Sequence, residues 1–502
     1  MSLARKVTSD FAKRQPEGNI MRRPITIALA ALLATTSPAC AASGSETEAS
    51  QEARDIAASL AVAMQALEAE GFSGFVAIAM HDREPMIVSA GSARPGEEIP
   101  YTLDTQFDIG SITKPLTGLA ASKLMAEGRL DPDATLSAFF ENVPADKASI
   151  TVHQLLTHMA GFGPGHGADR QPQSREQMLS AVFAEPLNSA PGSRYYYSNT
   201  GFSLVAAIIE DITGKSYEAY LVEDVLKPLG IESTGYRMAF DPSRADASDR
   251  YGTMDEASWG ELDPISWALV GNGGLVSSAR DLLNLGQGIA AGGLDPQVAN
   301  IWLQPRVEEP GGGSDYGFGI VNQELGALGP ALWHNGGNPA FQTEWWTFLD
   351  SGMTIVVHRN GGPVSIDDAF GPLLGAATGS ELGFASPEAD TEMAETSELP
   401  ATPAGALAAD FLGVVNENEE AWRGFVETRM FSKLLDLMPV DEHVAQYPML
   451  RDDIGGRSIA AVAEDEEAIR LRLVADGQPP LMLVLFHAEE DGMLKLRGIA
   501  VE

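Results

Sequence analysis

The strand-like stretches of this chain fall into two groups far apart in sequence, and that separation constrains the architecture more than any other feature. The first group is GFVAIAMHDREPMIVSAG at 74–91, two β-rich runs around the turn residues His81, Asp82 and Arg83. The second is ALWHNGG at 331–337, FQTEWWTFLD at 341–350 and MTIVVHRN at 353–360, the last two joined by Asp350-Ser351-Gly352. Between them, residues 150–300 carry mostly helical spacing broken by Gly and Pro. Strands at both ends with helices in the middle imply one sheet assembled from both ends, with a helical insertion.

The flanks divide further. Residues 56–72, IAASLAVAMQALEAEGF, have helical apolar spacing, and residues 42–55 ahead of them are polar and read as a linker. After Lys114, the spacing of Leu116, Leu119, Ala120, Leu124 and Met125 is helical, with Gly128 as the stop. Residues 379–402 lack apolar periodicity and are rich in Pro, Ala, Ser and Glu, a second linker. Residues 403–502 then open with helical patterns and end on strands, the order of a small α+β layer pair. One domain is expected at 56–378 and a second at 403–502, and no catalytic set is visible in the second.

Residues 21–41 have the pattern of a signal peptide: Arg22 and Arg23, an apolar run from Ile25 to Ala34, and Ala39-Cys40-Ala41 as an A-x-A cleavage site. Residues 1–20 would be an upstream extension. The expectation is an exported protein, periplasmic or secreted; the alternative is a lipoprotein anchored through Cys40, the only cysteine. Cleavage after Ala41 would leave no thiol for disulfide or nucleophilic chemistry. No later stretch is long and apolar enough for a membrane span. A formal net charge of -37 argues against nucleic acid and anionic lipid as partners.

Three short stretches carry candidate chemistry. In FDIGSITKPLTG at 107–118, Ser111 reads as a helix N-cap, with Pro115 tolerated in the first turn, and Lys114 lies one turn on, on the same face. A serine at such a junction points its hydroxyl into a cleft, and a lysine desolvated beside it can accept the hydroxyl proton. In PGSRYYYSNTGFSL at 191–204, Tyr197 and Asn199 are two apart on an extended segment and share a face. There the tyrosine can relay a proton and the asparagine can bond a substrate amide; otherwise Asn199 caps the following helix and the tyrosines pack a core edge. In WHNGGNPAF at 333–341, His334 precedes Gly336 and Gly337. Two glycines let a substrate lie along the strand edge, where an N–H can help bind an oxyanion; otherwise they mark a strand-end turn.

Taken together, SITK at 111–114, YSN at 197–199 and HNG at 334–336 resemble the Ser-x-x-Lys, Tyr-x-Asn and Lys-Thr-Gly or His-x-Gly motifs of the serine β-lactamase and penicillin-binding protein superfamily. The resemblance is to the class C β-lactamase and D-alanyl-D-alanine carboxypeptidase branch, with its esterase and amidase relatives. It extends over about residues 56–375, through ITVHQLLTHMAGFG, GFSLVAAIIEDITGKSY, LKPLGIEST and GNGGLVSSARDLL. It implies an α/β (α+β) fold of two domains: an antiparallel sheet flanked by helices with a helical insertion, plus the small C-terminal domain. It also implies an acyl-enzyme on Ser111, with Lys114 and Tyr197 sharing the base role. The oxyanion hole would be the N–H groups of Ser111 and Gly337, and no cofactor is required. The partner would be a small-molecule or peptide substrate: an ester, an amide or a D-amino-acid peptide.

His334 departs from the lysine of that third motif. A mostly neutral imidazole is a poor partner for a substrate carboxylate, which favours an esterase or amide hydrolase over a true β-lactamase. The alternative is a weakly catalytic penicillin-recognising protein that binds cell-wall peptides. Trp345 and Trp346 read as core packing more readily than as an acyl pocket. His153 and His158 lack the carboxylates of a zinc site, so no metal is expected. The C-terminal domain weakly resembles the nuclear-transport-factor-2-like superfamily, whose members can dimerise, so a homo-oligomer through that domain is a further expectation.

Overall fold

A computed structural model of the protein describes residues 44–501 apart from 82, 168–170, 249–251, 254–264, 311, 339, 380–392, 433–434, 436–439, 446, 465–467, 476–480 and 491. The leader pattern at 21–41, with Cys40, lies outside the described residues. The chain divides into two compact units between residues 382 and 383.

The first unit is built on an eight-stranded antiparallel sheet. Its strands are β1 (Ser73–Ala79), β2 (Met86–Ala90), β7 (Val307–Glu308), β8 (Ser314–Tyr316), β9 (Val321–Glu324), β10 (Pro330–Gly337), β11 (Gln342–Phe348) and β12 (Met353–Gly361). They run in the order β2-β1-β12-β11-β10-β9-β8-β7. The sheet is drawn from both ends of the unit, and β1 pairs with β12 from Ser73↔Gly361 to Ala79↔Thr354. Gly74–Ala79 are buried without alternation, as a central strand covered on both faces requires. On one face lie the helices Gly44–Ala69 and Ile366–Thr378. The first of these buries Ala57, Leu60, Met64 and Leu67, a stripe at helical spacing. The helix Ala279–Ala290 covers the other face.

The insertion supplies the rest of the core. Its short strands are β3 (Gln106–Asp108), β4 (Ala247–Ser248), β5 (Gly252–Thr253) and β6 (Val276–Ser278), paired β3 with β6 and β4 with β5. The helix Thr113–Ala126 is buried almost all round, so its position is fixed from every side. The amphipathic helix Asn199–Thr213 packs beside it.

The second unit has helices Pro403–Glu417, Glu419–Arg429, Val440–Ala445 and Tyr447–Ile454. They are followed by strands β14 (Ser458–Glu464), β15 (Ala468–Val474), β16 (Leu481–Glu490) and β17 (Met493–Val501). Its core joins Leu407, Phe411, Trp422 and Phe425 of the helices to Ile469, Leu471, Leu483 and Leu485 of the sheet.

Three local expectations need correction. Residues 44–55 are not a linker but the first turns of the helix that ends at Ala69. The stretch lacks apolar periodicity, yet Glu, Ala, Gln and Arg are good helix formers, and Gln51 bonds Asp55 and Arg54 along the helix. Within the expected linker 379–402, β13 (Ala394–Glu395) pairs with Val462 and Ala461 of β14. Lastly, Ser111 is not an N-cap. It is the middle of a 3₁₀ turn, Gly110–Ile112, that runs directly into the helix, and the Thr113 N–H bonds back to Gly110 and Ser111 carbonyls. That leaves the serine hydroxyl uncommitted to capping.

Candidate active site

The 3₁₀ turn at Gly110–Ile112 is pressed against the end of β10. A Cβ added to Gly336 would overlap the Ile109 carbonyl oxygen and come within 2.9 Å of the Ser111 nitrogen. At Gly110, where φ is +49°, a Cβ would meet the Gly337 nitrogen at 2.5 Å. These glycines therefore allow a close backbone approach that no other residue permits. Asp108 fixes the same junction: one carboxylate oxygen accepts the Gly110 N–H at 2.6 Å and the other accepts Asn338 Nδ2 at 2.8 Å. β10 pairs with β9 only from Pro330 to Trp333, so His334–Gly337 present their second edge to this turn rather than to a strand.

Ser111, Lys114 and Tyr197 meet in front of that edge. Lys114 is fully buried; its Nζ donates to Ser111 Oγ at 2.9 Å and to the Asn272 carbonyl at 2.8 Å. The same Nζ lies 4.7 Å from the centroid of the Tyr197 ring. Ser111 is near enough to the Tyr197 phenol to act on its titration, favouring the ionised form. Although 38% of Tyr197 is exposed, protein packs closely enough around the phenol that desolvation pushes its pKa up, against the lowering effect of Ser111. Solvent reaches the ring while the phenol keeps its proton.

His334, which the third motif places among the substrate-binding candidates with Gly336 and Gly337, turns inward instead. It is buried, its Nδ1 donates to the Asn335 carbonyl at 2.6 Å, and its Nε2 accepts from Tyr316 OH at 3.0 Å. Both nitrogens are thus used within the protein. Burial first, then the nearby Lys114 charge, holds its pKa down to about 3, so it is neutral.

Asn199 does not cap its helix. Ser198 occupies the N-cap position, with its hydroxyl donating to the Gly163 carbonyl, and Asn199 Oδ1 is buried without a partner among the described residues. An orphaned acceptor beside Tyr197 is the arrangement expected of a ligand-binding amide. Trp345 and Trp346 are core residues: Trp345 donates to the Leu282 carbonyl, and Trp346 stacks on Trp333 at 4.6 Å. Among the described residues, no group of three or more His, Cys, Asp or Glu side chains is arranged to hold a metal ion.

Sequence reading missed four participants. The Asn272 carbonyl could not be found from residue type, because its contribution is main-chain. Asp108 lay inside the quoted stretch, but its partner Asn338 is 230 residues away. Tyr316 carries no signal without the contacts that surround it, and in the sequence His158 is weighed only as a metal ligand and set aside.

Chemically, a hydroxyl bonded to a buried amine, with a phenol close by and the backbone N–H groups of Ser111 and Gly337 alongside, is an arrangement that can form and break an acyl bond. Putative D-alanyl-D-alanine carboxypeptidases of Escherichia coli O157:H7 and Salmonella paratyphi B are each 28% identical over 241 residues, covering 40% of this chain and 55% of theirs. The chain thus spans about half the length of the relatives it matches. Among solved structures, D-amino acid amidase from Ochrobactrum anthropi SV3 with D-phenylalanine superposes with a TM-score of 0.55 at 22% identity, over 64% of this chain and 98% of that one. An octameric penicillin-binding protein homologue from Pyrococcus abyssi gives 0.54 at 20% identity, over 89% and 95%. Both likenesses speak to the fold. A family model described as Beta-lactamase matches residues 60–376, more than half of the sequence, and the chain belongs to that family.

Proposed function

We propose that the protein is a serine hydrolase that forms an acyl-enzyme through Ser111 on an ester, amide or D-amino-acid peptide. The observation that carries this reading is the buried Lys114 Nζ, which bonds Ser111 Oγ at 2.9 Å and lies 4.7 Å from the centroid of the Tyr197 ring. The acylating form is the one in which the Lys114–Tyr197 pair, which titrates as a unit, has given up one proton; Ser111 Oγ then bonds to the substrate carbonyl carbon while its own proton passes to the vacated position on the pair. The carbonyl oxygen gains negative charge beside the Ser111 and Gly337 N–H groups. Collapse breaks the bond to the alkoxide or amine, which leaves with the proton from the pair. Water then attacks the acyl carbon, gives a proton to the pair, and frees the acid as Ser111 regains its hydrogen.

The neutral His334 and the inward commitment of Lys114 favour an acyl group without a carboxylate at this position. The names of the relatives, carboxypeptidases and D-amino acid amidases, fit amide and peptide substrates. Export through the pattern at 21–41 belongs to the same proposal, as does self-association, for which the octameric archaeal homologue is the support.

Hydrolysis of a chromogenic short-chain ester by wild type and by Ser111→Ala tests the reading. Loss of turnover in the variant, with the thermal melt retained, is expected. Equal turnover would refute it.

A further inference from the structure

His158 stands just past the helix Val152–Leu156 in a conformation that side chains avoid. Its φ is +60°, and Asn142 is the other described non-glycine residue with positive φ. Strain of this kind persists where the surroundings impose it, and it clusters at functional sites. Here its consequence is visible. The His158 carbonyl accepts the Tyr196 N–H at 2.9 Å, and its Nδ1 accepts the Ser198 N–H at 3.1 Å. One residue thus holds the main chain on both sides of Tyr197. The imidazole also packs against the Tyr197 ring, with centroids 4.2 Å apart and planes tilted 36°.

The imidazole is retained at a disadvantage. To accept from Ser198, Nδ1 must carry the lone pair, which puts the ring proton on Nε2. That Nε2 is buried and finds no partner among the described residues. The ring faces the rings of Tyr316, Phe202 and Tyr195 as well as Tyr197, with the Lys114 charge near, an aromatic surround that a phenylalanine would fill without an orphaned N–H. What phenylalanine lacks is the acceptor for Ser198.

We propose that His158 is the positioning residue of the site: its carbonyl and Nδ1 clamp residues 196 and 198 so that the Tyr197 phenol meets Ser111. This rests on the reading of Ser111 and Tyr197 as catalytic. His158 does not touch the reacting atoms; it acts through the tyrosine.

The test is steady-state ester hydrolysis by the full chain, with thermal melts, after confirming that wild type takes a fluorophosphonate adduct at Ser111. His158→Phe keeps the ring and removes the acceptor; kcat should fall by about 30-fold or more with KM within about threefold. His158→Asn places Oδ1 close to the position of Nδ1 and tolerates positive φ, so it should recover to within about fivefold of wild type. In a Tyr197→Phe background, His158→Phe should change kcat by less than about threefold, because the tyrosine through which it acts is already lost. Should His158→Phe fail to fold, His158→Gln serves instead, its acceptor displaced along a longer side chain, and it should fall at least about tenfold below His158→Asn. Wild-type-like kcat in His158→Phe, equal rates for His158→Asn and His158→Gln, or an undiminished effect in the Tyr197→Phe background would each overturn the proposal. Absence of any Ser111 adduct in wild type would instead remove the reading beneath it.

Discussion

Replacing Gly336 with alanine perturbs the site by one methyl group, and the structure allows the effect to be worked out. The new Cβ would stand 2.9 Å from the Ser111 nitrogen, where ordinary contact begins at 3.4 Å, and would overlap the Ile109 carbonyl oxygen outright. The obstacle is backbone on both sides, so no side chain can swing away. β10 and the Gly110–Ile112 turn must separate by at least about 0.5 Å at the nitrogen and by more at the carbonyl. The Ser111 N–H sits on one side of that gap and the Gly337 N–H on the other. An oxyanion needs both donors at about 2.7–3.1 Å, so widening the gap removes one of them. Losing one donor costs about 10²–10³ in kcat, and the overpacking costs about 1–3 kcal/mol of stability. Ester kinetics combined with thermal melts separate the two effects. A folded Gly336→Ala enzyme with kcat/KM within threefold of wild type would refute the reasoning, because the edge would then not be part of the site.

Other expectations follow from neighbouring contacts. Asp108→Asn places an amide N–H₂ against Asn338, whose own Oδ1 is already held by the Ala340 and Phe341 N–H groups and cannot turn to accept it; kcat should drop by about tenfold with a stability loss of about 1–3 kcal/mol, read by kinetics and melts. Buried Glu344 has its pKa raised to about 8, chiefly by desolvation. A carboxyl whose folded pKa lies above its unfolded value of 4.5 stabilises the fold fully below that value and loses the contribution as pH rises towards 8. Glu344→Gln should therefore flatten the fall in stability between those pH values, by an amount on the order of a few kcal/mol, in denaturant titrations across that range. Neutral esters should exceed matched carboxylate-bearing esters by about tenfold or more in kcat/KM, since neutral His334 replaces a fixed cation; equal values would contradict its assigned state.

Much of this was legible in the sequence where the signal is local or periodic. The β1–β2 hairpin, the Asp350-Ser351-Gly352 turn between β11 and β12, and the halt of the long buried helix ahead of Gly128 all follow from turn residues and apolar spacing. Sheet assembly from both ends followed from the order of patterns. Cap chemistry was less readable, because Ser, Thr and Asn favour helix starts whether or not they cap one. Ser111 proved to lie in a 3₁₀ turn, and Ser198 displaced Asn199 from the cap position. Contacts between distant segments were not legible at all. The Asp108–Asn338 tie and the His158 clamp depend on which backbone N–H groups tertiary packing brings within reach, and no spacing rule encodes that.

Peptide-level mass spectrometry after treatment with a fluorophosphonate tests the central claim most directly. A single adduct on the peptide that contains Ser111 is predicted, abolished in Ser111→Ala and strongly slowed in both Lys114→Ala and Tyr197→Phe. Labelling confined to another serine, or persisting at the same rate in all three variants, would contradict the account.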